Sequence, residues 1–201
     1  MSNEISLAVN GGVFARMVGN IAMCADTNSA LPNLCVVNIE LTPGNMRLVA
    51  TDRYVCGMVD IPNPDISVQR DVPVNAKELL KTLKSVGDRD LDVTIGDERV
   101  TFTWREGSVS LPISPYNFPG YRDVLESLTY GESSDVSERL FEPKYLKLLG
   151  SIKLGKPRLS TMLPKVKLTF HAESGKPVLA RVFHEESDIE SYTIYLMPKR
   201  S

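Results

Sequence analysis

The chain has 201 residues, 42% of them hydrophobic and 24% charged, with a formal net charge of −2 and three cysteines. Such a composition excludes the disordered, collagen-like and disulfide-stapled classes and holds apolar material for one domain or a domain and a half. No run of eighteen apolar residues occurs, and the amino terminus has neither a basic start nor an apolar signal segment, so a cytosolic chain without a membrane partner is expected.

The first element is a short strand over residues 4–9. Residues 13–25 follow as a helix, because Val13, Phe14, Met17, Val18, Ile21 and Ala22 recur at helical spacing, with Gly11-Gly12 as the turn before it. Residues 34–41 are rich in β-branched side chains, Thr42-Pro-Gly-Asn45 is a hairpin turn, and residues 46–51 and 54–61 are two further strands. The pattern then restarts. Val72-Pro-Val leads into a helix over 75–86, with Asn75 as its N-cap and Glu78 at capping-box spacing. Strands over 91–95, 100–104 and 108–113 are separated by turns at Gly96-Asp97 and Glu106-Gly107.

Pro115, Pro119, Gly120 and Gly131 mark residues 115–131 as a connector. A third copy of the pattern occupies residues 132–201: Arg139-Leu-Phe, a helix from Pro143 to Ile152, and strands over 165–171, 178–183 and 192–197. The fold class is therefore α+β, built of repeated strand, helix, three-strand units with helices on one face of antiparallel sheets. Residues 1–114 form a complete two-unit domain and 132–201 half of one. An odd number of such units leaves one sheet edge unmatched unless another chain covers it.

Charge is uneven along the chain. Residues 141–201 carry eleven Lys and Arg against six Asp and Glu, a surplus of five positive charges, whereas residues 1–140 are acidic. In the second helix Lys77, Lys81 and Lys84 share one face while Leu79, Leu80, Leu83 and Val86 occupy the other. The third helix repeats the arrangement with Lys144, Lys147 and Ser151 opposite Tyr145, Leu149 and Ile152, and Lys153, Lys156 and Arg158 extend the positive run. The first contributes Arg16, one turn from Asn20. Lysine on an outer helix face is also the ordinary solvated surface of a soluble protein; its recurrence on two successive helices favours a polyanion held by its phosphates without reading sequence. With no aromatic residues interleaved, a duplex suits these faces better than a single strand.

Nothing points to catalysis. Cys24, Cys35 and Cys56 lack Cys-x-x-Cys spacing and read as buried thiols. His171 and His184 have no metal-ligand spacing, and the carboxylate groups Asp88, Asp90, Asp92 and Glu185, Glu186, Asp188 sit at turns. Phosphate-loop, nucleophile-elbow and dinucleotide fingerprints are lacking, so no cofactor and no enzymatic activity are expected.

Several strings resemble the bacterial DNA polymerase III β sliding clamp family. Phe118-Pro-Gly-Tyr-Arg-Asp-Val-Leu125 is similar to the family's link between second and third domains, and Tyr192-Thr-Ile-Tyr-Leu-Met-Pro-Lys-Arg-Ser201 to its final strand. Leu48-Val-Ala-Thr-Asp-Arg-Tyr54, Asp71-Val-Pro-Val-Asn-Ala-Lys-Glu-Leu-Leu80 and Val93-Thr-Ile-Gly96 match the second domain, and Phe141-Glu-Pro-Lys-Tyr145 the latter half of the third. The family's first domain and the first half of its third have no counterpart. The resemblance implies a DNA-clamp fold with helices lining a hole for duplex DNA, a polymerase and clamp-loader peptide held between domains, and a homo-oligomer. Three units per chain make four chains the number that supplies a twelve-helix ring. Carried over by position, the peptide site comprises Val37, Thr51, Tyr54, Cys56, Pro119, Val124, Tyr145, Pro177, Tyr195, Met197, Pro198 and Arg200. Arg53 and Tyr54 replace small and basic residues of the family, and Lys199 a hydrophobe, which alters the shape expected of that site. The alternative is a clamp-like decoy or inhibitor that binds replication proteins without encircling DNA.

Overall fold

Asn10 both ends the first strand, β1 (Ile5–Asn10), and starts the first helix, α1 (Gly11–Ala22), by accepting the Val13 amide on its side chain at 2.9 Å. The computed structural model describes residues 4–28, 30–128, 130, 139–155, 163–171, 173, 175–184 and 187–198. Gly11 and Gly12 are thus the first helical residues, not a turn before the helix. Close approach explains them: the Gly11 amide donates to the Arg89 carbonyl at 2.8 Å, and a Cβ there would stand 2.6 Å from that same oxygen. The helix stops three residues short of the expected end, where Cys24 and Ala25 turn their amides back to Ile21 and Ala22.

Three antiparallel strands follow, β2 (Val36–Thr42), β3 (Asn45–Thr51) and β4 (Val55–Pro62), with Gly44 at φ 78° in the first turn. The second unit opens with β5 (Arg70–Asn75), an edge strand and therefore tolerant of Pro73. Asn75 caps α2 (Ala76–Val86) as expected, accepting the Glu78 amide at 3.1 Å. Its strands are β6 (Asp90–Ile95), β7 (Arg99–Trp104) and β8 (Gly107–Pro112). The connector holds a short helix, α3 (Arg122–Glu126), that periodicity did not mark. The third unit contributes α4 (Pro143–Ser151), β9 (Lys165–Thr169), β10 (Val178–His184) and β11 (Ser187–Leu196).

These strands form a four-stranded sheet, β1-β6-β7-β8, and a seven-stranded sheet, β5-β2-β3-β4-β11-β10-β9. The first strand of each of the first two units thus joins the sheet of the other. The large sheet crosses from the second unit's β5 to the third unit's β9 without a break, because β11 pairs with β4 from Thr193↔Met58 to Leu196↔Val55. A single apolar cluster joins Phe14, Val18 and Ile21 of α1, Leu79, Leu83 and Val86 of α2, and Tyr145, Leu148 and Leu149 of α4 with strand residues of both sheets, such as Ile39, Leu48 and Ile194 of the large one and Leu91 and Phe102 of the small one.

At the β4–β11 junction Gly57 faces Cys24, and a Cβ added there would also lie 2.9 Å from Ile194 Cδ1. Gly57→Ala is therefore expected to cost about 1–3 kcal/mol through overpacking. A urea titration checks this, and an unchanged midpoint would mean that Cys24 and Ile194 move aside freely.

Candidate functional site

Helical phase brings the selected lysines of α2 to its outer face. Lys77, Lys81 and Lys84 are exposed, and they border a groove of about 1070 Å³ between α2, the end of α1 at Ala22 and the strand exit at Ser114–Tyr116. Asp26 and Glu78 are the carboxylates on its rim. α1 packs beside α2, and on its other flank the Asn20 amide grips the backbone past the end of α4, donating to the Lys153 carbonyl at 2.6 Å and accepting its amide at 2.9 Å. Lys147 and Lys153 are exposed and Arg16 is partly buried. Lys144 differs from them: its ammonium lies 3.3 Å from the Glu142 carboxylate and 4.5 Å above the Tyr145 ring, so its charge is met locally. Lys156 and Arg158 lie outside the described residues.

The residues selected for a peptide site divide into groups. Tyr54, Cys56, Tyr195 and Met197 converge where β4 meets β11: Tyr195 stands opposite Cys56, and the Met197 amide donates to the Tyr54 carbonyl at 2.8 Å. Tyr54 is exposed, and Cys56, Tyr195, Met197 and Pro198 are half-buried. Pro177 joins them through Tyr130, whose hydroxyl donates to the Pro177 carbonyl at 3.0 Å while its ring lies 6.4 Å from that of Tyr195. Tyr130 was not selected from the sequence, where an isolated aromatic at the end of a connector carries no periodic signal.

Thr51 and Tyr145 serve the turn at the start of β4, beside these residues. The Thr51 hydroxyl donates to the Val55 carbonyl at 2.7 Å, and Asp52 accepts the Tyr54 and Val55 amides and the Tyr145 hydroxyl, the last at 3.0 Å. Between them Arg53 takes φ 79°, a left-handed conformation that costs a non-glycine residue roughly 1 kcal/mol. Val37 departs from expectation: it is 0% exposed and packed within the core cluster, because its position in β2 points toward the helices, so it offers no surface to a ligand. Arg200 lies outside the described residues.

Pro119 stands elsewhere, in a cleft of about 240 Å³ that it shares with Glu40, Asp71 and Tyr121, while Val124 is exposed on α3. This cleft explains the Phe-Pro-Gly-Tyr-Arg string. Glu40 of β2, only 3% exposed, accepts the Tyr121 hydroxyl at 2.8 Å, lies 3.0 Å from the Arg122 guanidinium, and accepts the Asn38 amide at 3.2 Å. Arg122 reaches Asp71 as well, at 2.8 Å, and the Phe118 ring stands edge-on to Tyr121. The connector is thus latched to the large sheet by one buried carboxylate.

Several acids of this region are held neutral. Burial first, then the charge of Glu40, pushes the Cys56 thiol from 9.0 up to about 12; burial likewise lifts the phenols of Tyr130 and Tyr145 to about 12 and raises Tyr121 further. Folded-state values above the unfolded ones mean stability that is intact below the unfolded thiol's value and lost as pH rises through the folded values. The urea midpoint is accordingly expected to be level up to about pH 9 and to fall between 9 and about 12. A midpoint constant to pH 12 would contradict burial of these groups.

No family model matches the chain. The β sliding clamp of Micrococcus luteus is 31% identical over 91 residues, which are 44% of this chain and 29% of that protein. That of Streptomyces coelicolor is 36% identical over 91 residues, 43% and 24% of the two chains. Among solved structures, the DNA polymerase III β subunit of Thermotoga maritima matches with a TM-score of 0.75 at 16% identity, over 98% of this chain and 66% of that one. The sliding clamp of Pseudomonas aeruginosa bound to griselimycin matches at 0.71 and 16% identity, over 98% and 66%. That of Bacillus subtilis matches at 0.72 and 13% identity, over 99% and 65%. The match spans under a third of those curated relatives and about two-thirds of the solved chains. The chain is similar to the β sliding clamps as a divergent, partial relative, and its fold is the clamp fold.

Proposed function

We propose that this chain acts as a sliding-clamp-type processivity factor, holding duplex DNA without sequence preference and tethering a polymerase through an extended peptide. The observation that carries the reading is the placement of Lys77, Lys81 and Lys84, exposed together on the outer face of a helix whose other face is sealed against a continuous sheet. Lysines on flexible stems neutralise phosphates while the backbone geometry stays rigid behind them, a combination that grips a duplex and lets it slide. Lys147 and Lys153 lie on or just past α4, beside α1, and with Arg16, Lys156 and Arg158 they belong to the same reading, from which Lys144, already paired with Glu142, is set apart.

The peptide site is assigned to the notch around Tyr54, Cys56, Tyr195 and Met197, with Tyr130 and Pro177 as its wall. Aromatic and thioether side chains at a sheet junction give a ligand large apolar contact at small entropic cost. A clamp loader would use the same notch. Residues 1–114 supply two units and 132–201 one, and a closed ring of twelve helices takes four chains.

Retention on DNA tests the reading. The chain, loaded on long circular duplex, is expected to stay bound through gel filtration at moderate salt and to slide off once the circle is linearised; equal retention on both forms would sink encirclement. A second reading, an interaction protein that occupies replication machinery without encircling DNA, is favoured by the exposed apolar face beside β9. Association with a clamp or polymerase, without retention on closed circles, would support it instead.

A further inference from the structure

The first two units show how one unit completes another. β1 of the first pairs with β6, β5 of the second pairs with β2, and α1 packs on α2. The register of the two exchanges is the same: each helix-capping residue stands opposite the first residue of the strand that follows the other helix, Asn10 against Asp90 and Asn75 against Val36. The inward residues of β6, Leu91, Val93 and Ile95, are consequently at most 1% exposed.

The third unit has the same parts without the complement. β9 reads Lys-Val-Lys-Leu-Thr where β6 begins Asp-Leu-Asp-Val-Thr, so Val166 and Leu168 take the places of Leu91 and Val93. They stand beside the buried Val182 and Ala180 of β10, yet are 45% and 39% exposed. On α4, Leu146 is 48% exposed. Gly150, one turn after Leu146 on the same face, has open space where a Cβ would stand. Residues 139–142 hold the place of β5: Arg139 Nη2 donates to the His171 carbonyl beyond the end of β9, as Arg70 Nη2 does to the Gly96 carbonyl beyond the end of β6. Among the described residues this stretch belongs to no strand, and β9 has β10 as its one partner.

We propose that the α4–β9 face is closed by the same face of a second copy of this chain, each copy lending residues 139–142 to the outer edge of the other's β9. Since the intact part of the chain is itself two such units in reciprocal exchange, the complement of one unit is another of its kind, and a two-fold axis satisfies both copies at once. The register common to the two internal exchanges sets Glu142 opposite Lys165 and Phe141 opposite Val166. Opposite charges then meet in the first of these pairs and apolar groups in the second, while the next two, Leu140 with Lys167 and Arg139 with Leu168, are mixed. Leu146 of each copy covers Gly150 of the other. Direct pairing of β9 with β9 is the poorer geometry, because it places lysine-bearing edges against each other. The inference rests on the assembly part of the proposed function and is independent of DNA.

Absolute mass without DNA tests it separately from clamp activity. Sedimentation equilibrium of the whole chain, from sub-micromolar to about 100 µM, is expected to show the 22.3 kDa chain passing into a dimer or a multiple of one. Glu142→Lys or Lys165→Glu alone is expected to weaken association on the order of tenfold, and the double reversal to restore it. Leu146→Ser is expected to weaken it further, with the melting temperature of the dilute chain unchanged because the side chain is exposed. A chain that stays monomeric throughout, or one whose association ignores both charge reversals, would overturn the proposal.

Discussion

The triple variant Lys77→Glu, Lys81→Glu, Lys84→Glu is expected to bind long duplex DNA on the order of a hundredfold more weakly at roughly 0.1–0.2 M salt. Each of these side chains is exposed on α2, so no core packing is lost with them. Three phosphate contacts disappear, and the slope of log affinity against log salt should fall by about three. Fluorescence anisotropy across a salt series reads both quantities. Lys144→Glu is the internal control: that ammonium already lies between Glu142 and the Tyr145 ring, so its reversal should change affinity far less. Unaltered binding by the triple variant would remove α2 from the DNA-facing surface.

Glu40→Ala should be the most damaging single change in the connector latch, at about 2–4 kcal/mol. The carboxylate serves Tyr121, Arg122 and Asn38 together. Asn38 is 0% exposed and its carbonyl oxygen already lacks a partner, so losing Glu40 would strand the whole amide in the core. Arg122 keeps Asp71 and suffers less. For a domain of this size the loss corresponds to a fall in Tm of roughly 5–15 °C. Calorimetry on Glu40→Ala, Tyr121→Phe and the double variant forms the check. Strict additivity would mean that hydroxyl and carboxylate do not depend on each other.

Local signals were legible wherever a residue's role depends on near neighbours. Asn75 caps its helix because the group it satisfies is three residues away. Lys77, Lys81 and Lys84 emerge on one side because helical pitch alone puts them there. The Phe-Pro-Gly-Tyr-Arg string was visible as a likeness, but its cause was not: the latch needs Glu40, eighty-one residues from Tyr121. Gly11-Gly12 read as a turn because the Arg89 carbonyl that presses on it belongs to another element. Val37 was carried to the peptide site by the family likeness alone; six consecutive buried residues in β2 show that both faces of the strand are covered there. The small helix α3 and the wall formed by Tyr130 lack periodicity and depend on contacts with the sheet.

Most strand and helix identities, the Asn75 cap and the basic helix faces were set by the sequence alone, since each follows from spacing within a dozen residues, and the threefold unit follows from the order in which they recur. Tertiary structure decided which unit lends its first strand to which sheet, where the third unit joins, and which of its apolar residues stay uncovered. The reason is physical: burial and strand pairing are relations between segments far apart in the chain. Val166 in β9 and Leu91 in β6 occupy the same place in the same pattern, yet among the described residues β6 lies between β1 and β7 and β9 pairs with β10 alone, and Leu91 is core where Val166 is surface.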